Sequence, residues 1–307
     1  MLKTSIATFL ITFLTVTLAG VEWLNRSAFE LDNFVSGLPY SIALLLVLLT
    51  HEMGHFTAAR IHKVDTTYPF FIPFPTFYGL NPFGTMGAVI RIRQQVPNKK
   101  ALFDIASAGP IAGFVASLIV LILGFVYLPG KDYLYSIHPE YASLSEIPKE
   151  GLTFGYSLGY ELIAKLFAPS GAFVPPMNEV YHYPLLCVGW FGMLITAMNL
   201  IPVGQLDGGH IAYCMFDRKY HLVAQISLVC MVILGLSGFL PLLGINWEFG
   251  WAGWLVWGLV LAILIKFGRL SHPATEDDTP IDPIRYRIGM VCWLIFVLSF
   301  SPNPLSM

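Results

Sequence analysis

Leu38-Pro39-Tyr40-Ser41-Ile42-Ala43-Leu44-Leu45-Leu46-Val47-Leu48-Leu49-Thr50-His51-Glu52-Met53-Gly54-His55-Phe56-Thr57-Ala58-Ala59 carries two patterns in one segment. Its first half is an apolar run of the kind that crosses a bilayer; its second half is an HExxH. On a helix, two imidazoles four positions apart lie on one face, one turn apart, where both can reach one zinc ion. Glu52, directly after His51, is placed to take a proton from a metal-bound water. Most metallohydrolases carry this helix in a soluble domain, whereas here it is expected inside a membrane.

The whole chain supports that placement. Its 307 residues are 56% hydrophobic and 12% charged, with a mean hydropathy of +0.67. Soluble domains carry about twice that charged fraction. A polytopic, all-α membrane protein is therefore the expected class. The net charge of -2 and pI of 6.4 give no sign of a nucleic-acid partner. Cys187, Cys214, Cys230 and Cys292 form no CxxC and read as small apolar packers. Lys3 followed by Ser5–Ala19 has the outline of a secretory signal but a poor cleavage site, so it reads as an uncleaved first span.

Apolar runs near 5–24, 37–60, 101–128, 184–201, 221–243, 249–267 and 288–302 predict about seven transmembrane helices, the last of them short. With the N-terminus inside, alternation puts 13 Lys and Arg on the inner side and 4 on the outer. That bias predicts an N-in orientation with the N-terminus toward the cytoplasm, or its equivalent in an organelle. The second span then runs inward, and His51 sits about 12 Å from the inner boundary at ~1.5 Å per residue. Ionisable groups at that depth need a watered cavity, which marks them as functional.

A zinc site needs a third protein ligand and an open position. Asn199-Leu200-Ile201-Pro202-Val203-Gly204-Gln205-Leu206-Asp207-Gly208-Gly209-His210 ends the fourth predicted span at the same inner level. Pro202 and the glycines make it irregular, which at membrane depth requires protein or a cavity around it. Asp207 is the candidate ligand. It is also a candidate cap for a helix starting near Gly209, and the two roles are compatible.

HExxH in one span and N-x-x-P-x-x-x-L-D-G closing a later one resemble the motif pair of the site-2 protease family of intramembrane zinc metalloproteases. Within it the chain is similar to the branch containing chloroplast membrane proteases and bacterial relatives. The resemblance covers roughly 37–217, taken as the catalytic core, with 1–36 as a first span and outer loop and 218–307 as C-terminal helices. It implies one Zn²⁺ on His51, His55 and Asp207, with Glu52 as the catalytic glutamate. Asn199 matches the motif asparagine, whose amide could serve the oxyanion or the substrate backbone, or merely bond another helix. The substrate it implies is a transmembrane protein segment entering from the lipid bilayer. No stretch is long enough for the PDZ domain that many relatives carry.

Two weaker matches follow. Gly109 and Gly113, in Asp104–Gly113, resemble a family glycine motif and equally suit close helix packing; Gly113 stands where relatives carry a polar residue. Gly84-Thr85-Met86-Gly87-Ala88-Val89 leads into an alternating stretch that resembles the family's edge strand, a small β-element near the active site. Gly84, Gly87 and Val89, with Gly109 and Gly113, are the expected substrate contacts, because an edge strand can re-pair the amides of an unwound helix. The aromatic stretch ahead of it, Tyr68 to Phe83, also reads as an interfacial loop.

His210 reads as a polar neighbour, while His62, His138, His182, His221 and His272 show no ligand spacing. Trp251, Trp254 and Trp257 read as a packing stripe. The apolar piece Leu158–Phe167 in the 129–183 loop is expected on or in the membrane. Two rival functions stand beside the protease: a membrane chaperone or pseudoprotease that binds transmembrane helices without cutting, and a zinc protease of the type that trims prenylated proteins.

Overall fold

In the computed structural model the chain is mostly helical, described at residues 2–76, 83–245, 247, 249–266, 275, 277 and 279–306. Phe77, Tyr78 and Pro82 of the aromatic stretch, His272, and Glu276 and Asp278 of an acidic patch lie outside the described residues. In chain order the elements are α1 (Leu2–Glu22), α2 (Leu38–Ile61), β1 (Phe70–Pro73), β2 (Thr85–Val89), α3 (Lys99–Val126), α4 (Lys131–Ile137) and β3 (Thr153–Phe154). Then come α5 (Leu158–Phe167), α6 (Pro184–Asn199), α7 (Asp207–Phe216), α8 (Tyr220–Ser237), α9 (Gly253–Lys266), α10 (Pro283–Ser299) and β4 (Leu305–Ser306).

Local chemistry sets several of these ends. The Asn98 side chain accepts from Ala101 N at 2.9 Å and starts α3, and Ser157 and Asp282 cap α5 and α10 in the same way. Pro184 sits in the first turn of α6, where its missing N–H is not needed.

Helices α2, α3 and α6 form the centre, with α1 and α10 against them. Small residues let the backbones meet: a Cβ on Gly54 of α2 would lie 2.5 Å from the Ala108 carbonyl of α3. Thr17 of α1 donates to Ser41 of α2 at 2.9 Å, a buried polar contact joining two apolar helices. Trp254 of the predicted packing stripe is buried and donates from Nε1 to the Pro302 carbonyl at 2.8 Å.

Among the described residues four segments are long and apolar enough to cross a membrane: Leu2–Glu22, Leu31–Ile61, Lys99–Val126 and Asp207–Ser237. The apolar runs predict seven. The fourth, α6, is only 16 residues long, about 24 Å, less than a ~30 Å hydrocarbon core. It is wrapped by protein along most of its length, so its length need not match the lipid. The predicted span at 221–243 becomes the second part of a run that bends at Asp217, whose φ is 48°. On α8, Leu222, Ile226, Val229, Ile233 and Leu236 are each more than half exposed and form one apolar stripe, the pattern of a lipid-facing helix.

The strands make two small antiparallel sheets. β1 pairs β2 with Phe70 opposite Val89 and Phe71 opposite Ala88, and the register shifts before Pro73 meets Thr85. The pairing extends outward through Thr67 N to Arg91 O and Arg93 N to Asp65 O. This hairpin, expected as an edge-strand element, links the end of α2 to the start of α3. β3 pairs β4 at the other end of the bundle.

Candidate metal centre

His51 and His55 lie on the inward face of α2 as their spacing requires, with Nε2 atoms 3.1 Å apart. Asp207 opens α7, and its Oδ2 is 3.4 Å from His51 Nε2 and 3.3 Å from His55 Nε2. The turn before it is what delivers the carboxylate. Gly204 takes a φ of 60°. A Cβ on Gly208 would lie 2.0 Å from the Leu200 carbonyl, and one on Gly209 would lie 2.2 Å from the Gly204 carbonyl, so only glycines let α7 start this tightly. The capping role expected for Asp207 is not found. Leu206 holds the cap position without a side-chain bond, and the Asp207 carboxylate faces the imidazoles instead.

These three donors fit a zinc ion. Four-coordinate zinc with ligands ~2.0–2.1 Å away holds them about 3.3 Å from one another, close to the three separations observed. His55 Nδ1 donates to the Ile105 carbonyl at 2.7 Å, which leaves Nε2 as the lone-pair nitrogen. Ile105 escaped the sequence reading because a backbone carbonyl leaves no residue-type signal.

Glu52 is as buried as its neighbours; His51, Glu52 and His55 are 6%, 6% and 7% exposed. Ile90, just past β2, lines the same cavity as the Glu52 carboxylate, which brings the hairpin to the centre. Asn199, the last residue of α6, has Nδ2 3.5 Å from His51 Nε2, at the limit of a hydrogen bond. A cavity of about 590 Å³ opens here, lined by the three donors, Glu52, Asn199, Val89, Ile90, Gln205 and His210 among others.

The expected substrate contacts fare unevenly. Val89 lines the cavity, but Gly84, Gly87, Gly109 and Gly113 are not among its walls. Gly84, at φ +78°, faces α1, where a Cβ would lie 2.6 Å from the Thr15 carbonyl. Gly87 has open space around it. Gly109 and Gly113 make room for the donors: a Cβ on Gly109 would lie 2.1 Å from His55 Nε2, and one on Gly113 would lie 2.9 Å from His51 Nδ1. Spacing along the chain also failed to connect His138, Glu179 and His182, whose donor atoms lie within 4.8 Å of one another.

A family description, "Peptidase family M50", matches residues 39–237 and takes in all of these donors. The chain belongs to peptidase family M50. This M50 member is 35% identical over 268 residues to "Probable zinc metalloprotease EGY1, chloroplastic" of Oryza sativa subsp. japonica, covering 87% of the chain and 41% of the relative. It is 28% identical over 301 residues to "Probable zinc metalloprotease EGY2, chloroplastic" of Arabidopsis thaliana, at 97% and 48% coverage. "Probable zinc metallopeptidase EGY3, chloroplastic" of the same plant is 29% identical, again at 97% and 48%. The chain spans about half the length of the curated relatives it matches.

Proposed function

We propose that this chain is a zinc metalloprotease that hydrolyses peptide bonds within or beside the transmembrane segments of other membrane proteins. The observation that carries the reading is the convergence of His51, His55 and Asp207, from two separate stretches, beside Glu52 at a cavity inside a helical bundle. Those three residues would hold the ion. Zinc in such a site supplies Lewis acidity, which polarises a peptide carbonyl and lets a water ionise near neutral pH.

The remaining roles belong to the chain itself. Glu52 accepts the proton of the attacking water and returns it to the leaving amine, a contribution of about 10²–10⁴-fold for a positioned acid–base group. The Asn199 amide faces the same cavity and donates to the oxyanion or to the substrate backbone. A transmembrane helix must unwind to expose its scissile bond, which leaves amides unpaired in a low-dielectric place. The β2 edge near Val89 and Ile90 offers them a strand to pair with. The positive bias of the loops on the donor side supports an orientation with the N-terminus and the site toward the cytoplasm or its organelle equivalent.

The test is purified chain reconstituted with a single-pass substrate, with and without Glu52→Gln. Wild type should cut while the variant, loaded with equal zinc, does not. Equal cutting by both would remove Glu52 from the mechanism. Wild type that binds the substrate and never cuts it would instead establish the chaperone alternative.

A further inference from the structure

At the end of α3 and α6 opposite the family site, three side chains repeat the geometry of the first cluster. His138 Nε2 and His182 Nε2 are 2.9 Å apart. Glu179 Oε2 lies 3.5 Å from His182 Nε2 and 4.0 Å from His138 Nε2. The corresponding separations in the first cluster are 3.1, 3.3 and 3.4 Å.

The hydrogen bonds behind these atoms fix which of them carry protons. His182 Nδ1 lies 2.6 Å from the Trp23 carbonyl, which can only accept, so Nδ1 bears the hydrogen. His138 Nδ1 lies 3.0 Å from Glu140 Oε1. An exposed carboxylate accepts, so His138 Nδ1 bears its hydrogen as well. In the neutral rings both Nε2 atoms therefore present lone pairs toward each other, and that of His138 also accepts from Asn25 Nδ2 at 3.1 Å. The third atom has no such partner. Glu179 Oε1 accepts from Tyr141 Oη and Asn178 Nδ2 at 3.1 Å each, whereas Oε2 is buried without a partner. The Glu179 and His182 side chains are 2% and 0% exposed.

Three converging lone pairs in a buried place repel one another unless a cation lies among them. A divalent cation suits the set: two imidazoles and a carboxylate are zinc-class donors, and each imidazole has the outer-shell acceptor that metal-bound histidines normally show. The Asn25 side-chain amide, 3.1 Å from His138 Nε2, is the fourth polar group at the rim. With its oxygen turned inward it becomes a further donor.

We propose that His138, Glu179 and His182 form a second, structural site for a zinc-class divalent cation, independent of the family site. It would clamp three separate pieces of chain: the end of α1 through Asn25 and the Trp23 carbonyl, the residue after α4, and the turn leading into α6. A long connection with little core of its own would thereby be fixed to the bundle.

Metal analysis of the 307-residue chain, purified in detergent from zinc-supplemented cells and desalted, tests it directly. Wild type should hold two zinc ions per chain, Glu179→Gln one, His55→Ala one, and the pair of substitutions none. Glu179→Gln should fold, since its amide oxygen still accepts from Tyr141 and Asn178 and its NH₂ can donate to His182 Nε2. His138→Asn, at the accessible rim, serves as an independent variant. A wild-type ratio unchanged by both variants would overturn the site, as would a ratio that only His55→Ala lowers. A ratio lowered by Glu179→Gln and unaffected by His55→Ala would establish this site and undo the family one. In wild type, stripping all metal with a chelator should speed proteolysis between 139 and 178, and zinc should reverse it; an unchanged cleavage rate in fully stripped protein would also overturn the clamp.

Discussion

Gly109→Ala is the substitution for which the structure sets a magnitude. The added methyl would lie 2.1 Å from His55 Nε2, 2.3 Å from Cε1 and 2.5 Å from Cδ2. Ordinary contact begins at 3.4 Å, so ring and methyl must part by about 1.3 Å. The imidazole has little freedom to yield: it is buried, and its Nδ1 is held on the Ile105 carbonyl. Sites of this kind tolerate ligand displacements of only about 0.2 Å. A misplacement near 1 Å costs on the order of 10²-fold in rate, and overpacking adds about 1–3 kcal/mol of destabilisation. We expect Gly109→Ala to lose stoichiometric zinc at the family site and to cut a single-pass substrate at least ~100-fold more slowly. Gly113→Ala, with a nearest atom 2.9 Å away, should be milder, and Gly130→Ala, with nothing within 4 Å, should match wild type. Metal analysis and a gel-based cleavage assay on the three variants read the series. A Gly109→Ala protein with full zinc and wild-type rate would refute the claim that this glycine exists to clear His55.

Chelation with 1,10-phenanthroline should abolish cleavage and added zinc should restore it; cutting at full rate by stripped protein would argue for a different chemistry. Asp104 joins three helices, receiving Arg285 Nε and Nη2 at 2.8 and 2.6 Å and lying 2.7 Å from His62 Nε2. Both partners in the Arg285 pair are about a quarter exposed, so Asp104→Asn should destabilise by about 1–2 kcal/mol in a denaturant titration; no change would mean that solvent already screens the pair. Asp282 caps α10, and the Arg285 backbone N–H and guanidinium hold its carboxyl below the usual range. A lowered folded-state pKa gives stability that is present above the unfolded value of about 3.9 and fades as pH falls through the folded value. The thermal-stability gap between wild type and Asp282→Asn should therefore close on acidification from neutral pH; a gap that widens would reverse the assignment.

The first cluster was readable from sequence because its parts have local spacing. His51 and His55 share a helix face, and Asp207 sits in a run of prolines and glycines that has to be irregular. The hairpin was readable through the alternation near Val89. Span count was less so, since hydropathy responds to apolar length alone and cannot separate a lipid-bathed helix such as α8 from one wrapped in protein such as α6. Gly109 and Gly113 gave a packing signal with no hint that the packed object was an imidazole. His138 and His182 stand 44 positions apart and meet only because α4 and the start of α6 fold onto the end of α1, a tertiary event with no period to detect.

Helix α3 touches nearly every part of the first cluster. It clears both imidazoles at Gly109 and Gly113, backs one at Ile105, holds α7 through Lys99 to Asp217 at 2.8 Å and grips α10 through Asp104. A tilt of this one keel would displace donors on both flanks together. The hairpin reaches the centre through Val89 and Ile90, which line its cavity. Grafting residues 66–92 from another M50 peptidase should thus retune which sequences are cut while leaving the hydrolytic apparatus in place, two properties that this architecture allows to evolve separately.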